Sequence, residues 1–193
     1  LDAAAVLVSG QGLREGLAYA ALGTPSADLE DVRATSVTAL LSRFRGVDAE
    51  YGERRALLAR QIFAGLVRGE GERGRACLDA LSLAARVLDI GRAVDFFDRH
   101  EHAARIVLAS ELDGFSQAEV ARVAAVLHAA DEEGVDLDEF APLVTRGERR
   151  LIDRAAVALL LADDLLERAR RGVTPRLAIR VSRDRVFIRA RHV

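Results

Sequence analysis

The sequence predicts a mainly α-helical protein closed by a β-hairpin, and three observations carry that reading. Alanine, leucine and arginine dominate the 193 residues, and all 28 Lys-or-Arg charges are arginine. These residues are among the strongest helix formers. Between residues 29 and 170 apolar side chains recur at three- and four-residue intervals, the period of a helix with one buried face. From Leu177 the period falls to two, as in half-buried strands. Half the residues are hydrophobic and 30% are charged, a globular composition in a chain long enough to bury a sizeable core. Aromatic residues make up only 5% and the net charge is −2. Neither nucleic acid, which favours aromatic stacking platforms and basic charge, nor a membrane surface is therefore an expected partner.

The elements follow in order. Residues 3–9 form a short apolar run expected as a buried strand, followed by Gly10-Gln11-Gly12 and a helix ended by Gly23. Together they make a fragment of an α/β unit. Residues 23–28 carry Gly, Pro and Ser and read as a linker. Val32, Val37, Leu40, Leu41 and Phe44 line one helix, broken at Gly46 and Asp48. Tyr51, Leu57, Leu58, Ile62, Phe63 and Leu66 line the next, and residues 68–74 are expected as a polar, glycine-rich loop. A third helix runs from Cys77 and stops near Gly91, with short helical turns over 93–98 and another helix over 101–110. Ser116 and Glu119 have capping-box spacing and open a helix that reaches Ala130. Residues 134–143 read as a loop with one helical turn. Residues 148–170 give the longest helix, stopped by Gly172 and Pro175. Residues 177–182 and 186–191, joined by Arg183-Asp184-Arg185, complete the hairpin. The longest apolar run, 155–162, is too short to cross a membrane. Cys77 is the only cysteine, expected as a small buried thiol in a cytoplasmic protein. With leucine at position 1 and no methionine, the chain is expected to begin inside a larger protein.

Two stretches carry a family resemblance. The first is GLREG, residues 12–16, preceded by VLVSGQ. The second spans residues 81–131, where His100-Glu101-His102 opens the helix HEHAARIVL and ELDGFSQAE opens the next. In this order and spacing they resemble the exopolyphosphatase/guanosine pentaphosphate phosphatase (Ppx/GppA) family. That family has an H-x-H-S-x-Y-I-L-type helix followed by a DLPGFS-type phrase. Ala103 and Arg105 depart from its serine and tyrosine. The resemblance covers nearly the whole chain. It implies that residues 1–23 end an actin-like catalytic domain whose phosphate loops and catalytic glutamate lie upstream. Residues 24–173 would form a helical bundle related to the HD metal phosphohydrolases but degenerate, and 174–193 the hairpin. The parent enzyme would hydrolyse terminal phosphoanhydrides of polyphosphate or guanosine pentaphosphate, with magnesium, as a cytoplasmic homodimer. This part would contribute substrate binding, processivity or dimerisation, and no catalytic residue.

The residues themselves bear on that reading. An HD site needs a paired His-Asp among ligands that hold a metal and acidify its water. Here the pair reads Leu88-Asp89, and no histidine precedes His100. Asp89, His100, His102, His128 and Asp163 remain as candidate ligands for an autonomous HD-type phosphohydrolase acting on a nucleotide. A ligand-free oligomerisation module is a third reading. Arg86, Arg92, Arg99 and Arg105 cluster in sequence with His100 and His102. On one groove these six would bind phosphates through bidentate, charge-assisted hydrogen bonds. Against that stands simple pairing with Asp95, Asp98, Glu101 and Glu111 on a solvated face. One of Asp163 and Asp164 must face inward in its apolar helix and needs an arginine or backbone partner. Arg14 and Glu15 read as structural, and Ser9 has no evident base nearby.

Overall fold

The computed structural model describes residues 13–23, 28–67, 71–130, 137–170, 172–182 and 185–191. The strand expected over 3–9 and the glycine turn after it lie outside the described residues. α1 (Leu13–Ala21) leads to Gly23, whose φ of +60° is the left-handed geometry that glycine adopts without strain. α2 (Leu29–Ser42) starts at Asp28, whose carboxylate accepts from the Glu30 amide at 2.8 Å. α3 (Ala49–Leu66) starts at Asp48, which accepts from the Tyr51 amide at 3.0 Å. Both acids satisfy first-turn amides that have no partner within the helix.

α4 (Gly71–Val87) corrects one expectation. The loop expected through residue 74 is helical from Gly71, and Gly74 is buried inside the helix. The packing of this small residue overrides its weak helix propensity. α4 also does not run on to Gly91 as an α-helix. It tightens at Val87 into a 3-10 helix over Leu88–Ala93. α5 (Arg99–Ala109) begins two residues before the expected Glu101. α6 (Gln117–Ala129) opens on the expected capping box: Ser116 Oγ accepts from the Glu119 amide, and Glu119 returns a carboxylate oxygen to the Ser116 amide at 2.7 Å. A second box, Thr145 with Glu148, precedes α7 (Arg149–Glu167). The strands β1 (Arg176–Val181) and β2 (Val186–Arg191) pair antiparallel, with Ile179 opposite Ile188.

α4 lies at the centre, touching α3, α6 and α7, and every residue from Ala80 to Ala85 is buried, while Glu72, Arg73, Arg75 and Asp79 stay exposed. Leu58, Ile62, Leu81, Leu127 and Leu159 are completely buried between these helices. Two glycines set close approaches. A Cβ on Gly52 would stand 2.8 Å from the Arg86 carbonyl oxygen of α4. One on Gly65 would stand 2.7 Å from Ile179, where the hairpin docks on α3. Cys77 is buried, and burial, aided by Glu148, pushes its thiol up to about 12. It is a packing residue, not a nucleophile. Among the described residues no helix is long and apolar enough to cross a membrane.

Candidate functional site

Two carboxylates and two guanidinium groups close a ring where α3, α5, α7 and the 3-10 helix meet. Arg55 of α3 has no exposed side-chain surface. Its Nη1 donates to the Ala85 carbonyl at 3.0 Å and its Nη2 to Asp89 Oδ2 at 2.5 Å. Its Nε stands 2.7 Å from Asp163 Oδ1, an ion pair without an aligned hydrogen bond. Arg99, the first residue of α5, donates Nη1 to Asp89 Oδ1 at 3.3 Å and Nη2 to Asp163 Oδ2. Arg92 adds a third cation, with its Nε 3.0 Å from Asp89 Oδ1. Gly91 makes the junction possible: a Cβ there would fall 1.9 Å from the Arg99 carbonyl oxygen. Only hydrogen lets the 3-10 helix press Asp89 against the start of α5.

The electrostatics follow from burial and pairing. Burial pushes the Asp89 carboxyl up. Arg55, by charge and hydrogen bond, outweighs this with help from Arg92 and Arg99, and the group lies below the usual aspartate range. Arg55 loses hydration on burial, yet Asp89 and Asp163 hold it charged above the ordinary arginine value. Tyr51 stacks its ring under the guanidinium groups of Arg55 and Arg54, at 5.0 and 5.5 Å. Its phenol is raised, first by burial and then by the charge of Asp163.

The other singled-out residues scatter. Leu88 is wholly buried in the core. Asp163 faces inward, while the exposed Asp164 pairs with Arg168 at 3.3 Å. Arg86 pairs with Glu53 at 2.9 Å, and Arg105 pairs with Glu101. The six residues grouped for phosphate binding do not share one groove: Arg86, Arg92 and Arg105 line three separate cavities. His100 and His102 lie half-buried in the first turn of α5. His128 sits near the end of α6, edge-on to Phe140, beside the cavity of Arg105. Among the described residues no three His, Cys, Asp or Glu side chains meet as a metal-ligand set. Asp89 and Asp163 do converge, but the gap between them holds guanidinium groups. The donor set does not fit the metal that an HD site would take.

A cavity of about 700 Å³ opens beside this ring, lined by Arg45, Asp48, Tyr51, Arg54, Asp89, Arg92, Glu167 and Arg170 among others. Arg45, Arg54 and Arg170 have no ion-pair partner among the described residues, and the Arg54 Nε is buried without a hydrogen-bond partner. Three cationic side chains thus line a concave space, which suits a phosphate-bearing ligand. Reading the sequence for local clusters misses Arg45, Arg54, Arg55 and Arg170. One signal was present: Arg55 occupies the apolar stripe with Leu58 and Ile62, a place where a charge must be paired.

Comparison with known proteins agrees with this architecture. Residues 32–188 match the model for Ppx/GppA phosphatase, domain III. A guanosine-5'-triphosphate,3'-diphosphate pyrophosphatase of Vibrio vulnificus is 29% identical over 164 residues, 84% of this chain and 32% of the relative. The protein of the same name from Vibrio cholerae serotype O1 is 28% identical over 165 residues, with the same shares of both chains. The chain thus spans about a third of the length of the curated relatives it matches. With this match covering most of the chain, the chain belongs to the Ppx/GppA phosphatase family, as its domain III.

Proposed function

We propose that this chain is the substrate-binding and dimer-forming helical domain of a hydrolase that cleaves the terminal phosphoanhydride of guanosine pentaphosphate or polyphosphate, and that it cleaves no bond alone. The observation that carries the reading is the ring of Arg55, Asp89, Arg99 and Asp163. Two guanidinium groups deliver the same two positive charges as a divalent cation. They cannot bind and acidify a water, which is the chemistry an HD metal contributes. The ring locks four elements, with Arg92 held by Asp89 and Glu167, and leaves Arg45, Arg54 and Arg170 to hold phosphate oxygens in the adjoining cavity. Arg99 positions and does not touch substrate; Arg86, Arg105, His100 and His102 fall outside this set. The names of the Vibrio relatives support a guanosine phosphate ligand for the parent enzyme. Magnesium belongs, in this reading, to the catalytic part of that enzyme.

The test pairs phosphate release with binding. Incubated with either substrate and magnesium, the purified chain releases no phosphate above the blank. Replacing Arg45, Arg54 and Arg170 by serine weakens substrate binding about tenfold or more. Turnover that follows the chain through purification and disappears in Asp89→Asn would instead establish an autonomous phosphohydrolase. Sedimentation equilibrium checks the dimer.

A further inference from the structure

The hairpin leaves one strand edge open. β1 packs on α3, with Ile179 against Gly65, while β2 lies beyond it and pairs with β1 alone among the described strands. The ladder runs without a bulge from the Arg176–Arg191 pair to the Val181–Val186 pair. At the turn the Ser182 amide donates to the Arg185 carbonyl at 2.8 Å. Bonded and non-bonded pairs alternate along an antiparallel ladder. Counted from Ser182 and Arg185, the β2 residues that bond to β1 are Phe187, Arg189 and Arg191. The backbone N–H and C=O groups of Val186, Ile188 and Ala190 therefore point outward along the free edge. Sheets commonly guard such an edge with proline, a bulge, an inward-pointing charge or charged side chains. β2 has no proline, and its inward positions hold Ile188 and Ala190. The guard that remains is charge: Arg189 and Arg191 repel another basic strand and attract an acidic one.

The side chains define what fits there. Neither strand carries an acid. Arg176, Arg180, Arg189 and Arg191 are exposed, and none has an ion pair or hydrogen bond among the described residues. Arg176 stands opposite Arg191, a like-charge pair that destabilises the ribbon until a counter-charge arrives. Val181, Val186 and Phe187 are also exposed, so the hairpin offers apolar contact beside its charge. A third strand along β2 would set its own side chains about 5 Å from Arg189 and Arg191, close enough for carboxylates to pair with both. A second copy of the chain is a poor occupant, because pairing β2 with β2 brings arginines against arginines. A linear phosphate neutralises the face but has no amide donors for the three outward carbonyls. We infer that the free edge of β2 takes up an extended segment of a partner protein as a third strand, with acidic residues alternating with apolar ones. The main-chain bonds supply affinity, and the alternate acids over the arginines supply selectivity.

The experiment titrates the full chain with a short fluorescent peptide of alternating glutamate and valine, followed by anisotropy and by amide hydrogen exchange. The comparison peptides are the same residues in blocked order, the alternating peptide N-methylated at every amide, and an alternating lysine–valine peptide. One variant carries Arg189→Glu and Arg191→Glu. Another carries Ala190→Pro, which removes an outward N–H that the β1 ladder does not use. Thermal melts check that both variants fold, and the N-methylated peptide tests the edge on the parent chain itself. The alternating acidic peptide binds the parent and slows exchange at Val186, Ile188 and Ala190. N-methylation weakens it about tenfold or more, since the edge groups lose their partners. The charge-reversed variant loses the acidic peptide by a similar factor and gains the lysine–valine peptide. Guanosine pentaphosphate binds both variants as it binds the parent, because the cavity of Arg45, Arg54 and Arg170 is intact. Failure of the acidic peptide to bind, or equal binding after N-methylation, overturns strand addition and leaves the cavity reading standing. Tighter binding of long-chain polyphosphate or an RNA homopolymer to this face overturns the choice of partner. Protection of the three amides in a dimer without peptide assigns the edge to a second copy and overturns it too.

Discussion

Arg55 is the residue on which the arrangement turns. Among the described residues it is the largest fully buried side chain, and it faces both carboxylates. Removing one partner of such a cluster strands the others in a medium that cannot hydrate them. Arg55→Leu should therefore cost about 3–5 kcal/mol, read as a lower urea midpoint at neutral pH. The same ring sets an acid limit. Asp89 has a lower value folded than unfolded, so its contribution is complete above the unfolded value, near 4, and is lost as pH falls through the folded one. Urea midpoints should hold level from neutrality to about pH 5 and decline below about pH 4. Asp89→Asn should flatten that limb only in part, because Glu119 and Glu148 are also depressed: each is raised by burial, then overcome by Ser116 for the first and by Arg122 and Thr145 for the second. Asp89 stood out in the sequence beside Leu88. Arg55 is marked only by its place in the apolar stripe with Leu58 and Ile62, since its partner lies 34 positions away.

At the scale of elements, the decisive contact is the 3-10 helix against α5. Gly91 admits the backbone of Arg99, and any side chain there must separate the two. Gly91→Ala is expected to cost about 3 kcal/mol, checked by chemical denaturation. It should also open the ring, so that the Tyr51 fluorescence changes before global unfolding. Elements that depend on local chemistry were legible: the Ser116–Glu119 box, the break at Gly46 and Asp48, and the alternation of the hairpin all stand as read. Those that depend on tertiary packing were not. Residues 71–74 look like a loop by composition and become helix because Gly74 packs into the core. The 3-10 tightening at Leu88 follows from a neighbour that no spacing reveals.

For the whole molecule, the sequence signalled a helical domain closed by a hairpin and pointed to the region of Asp89, but not to its chemistry. Of the arginines near it in sequence, Arg92 and Arg99 pair with it, while Arg86 and Arg105 go to other faces. The arginines near it in space come from α3, from the turn before it and from the end of α7. Binding of anionic ligands should be strongly salt-dependent, since it rests on exposed guanidinium groups. The central claim is that guanidinium groups stand where an HD protein would hold its metal. It is tested most directly by titrating the chain with manganese and following the ion by electron paramagnetic resonance. The account predicts no saturable uptake and identical curves for the parent and Asp89→Asn. Stoichiometric binding by the parent that vanishes in Asp89→Asn would contradict it.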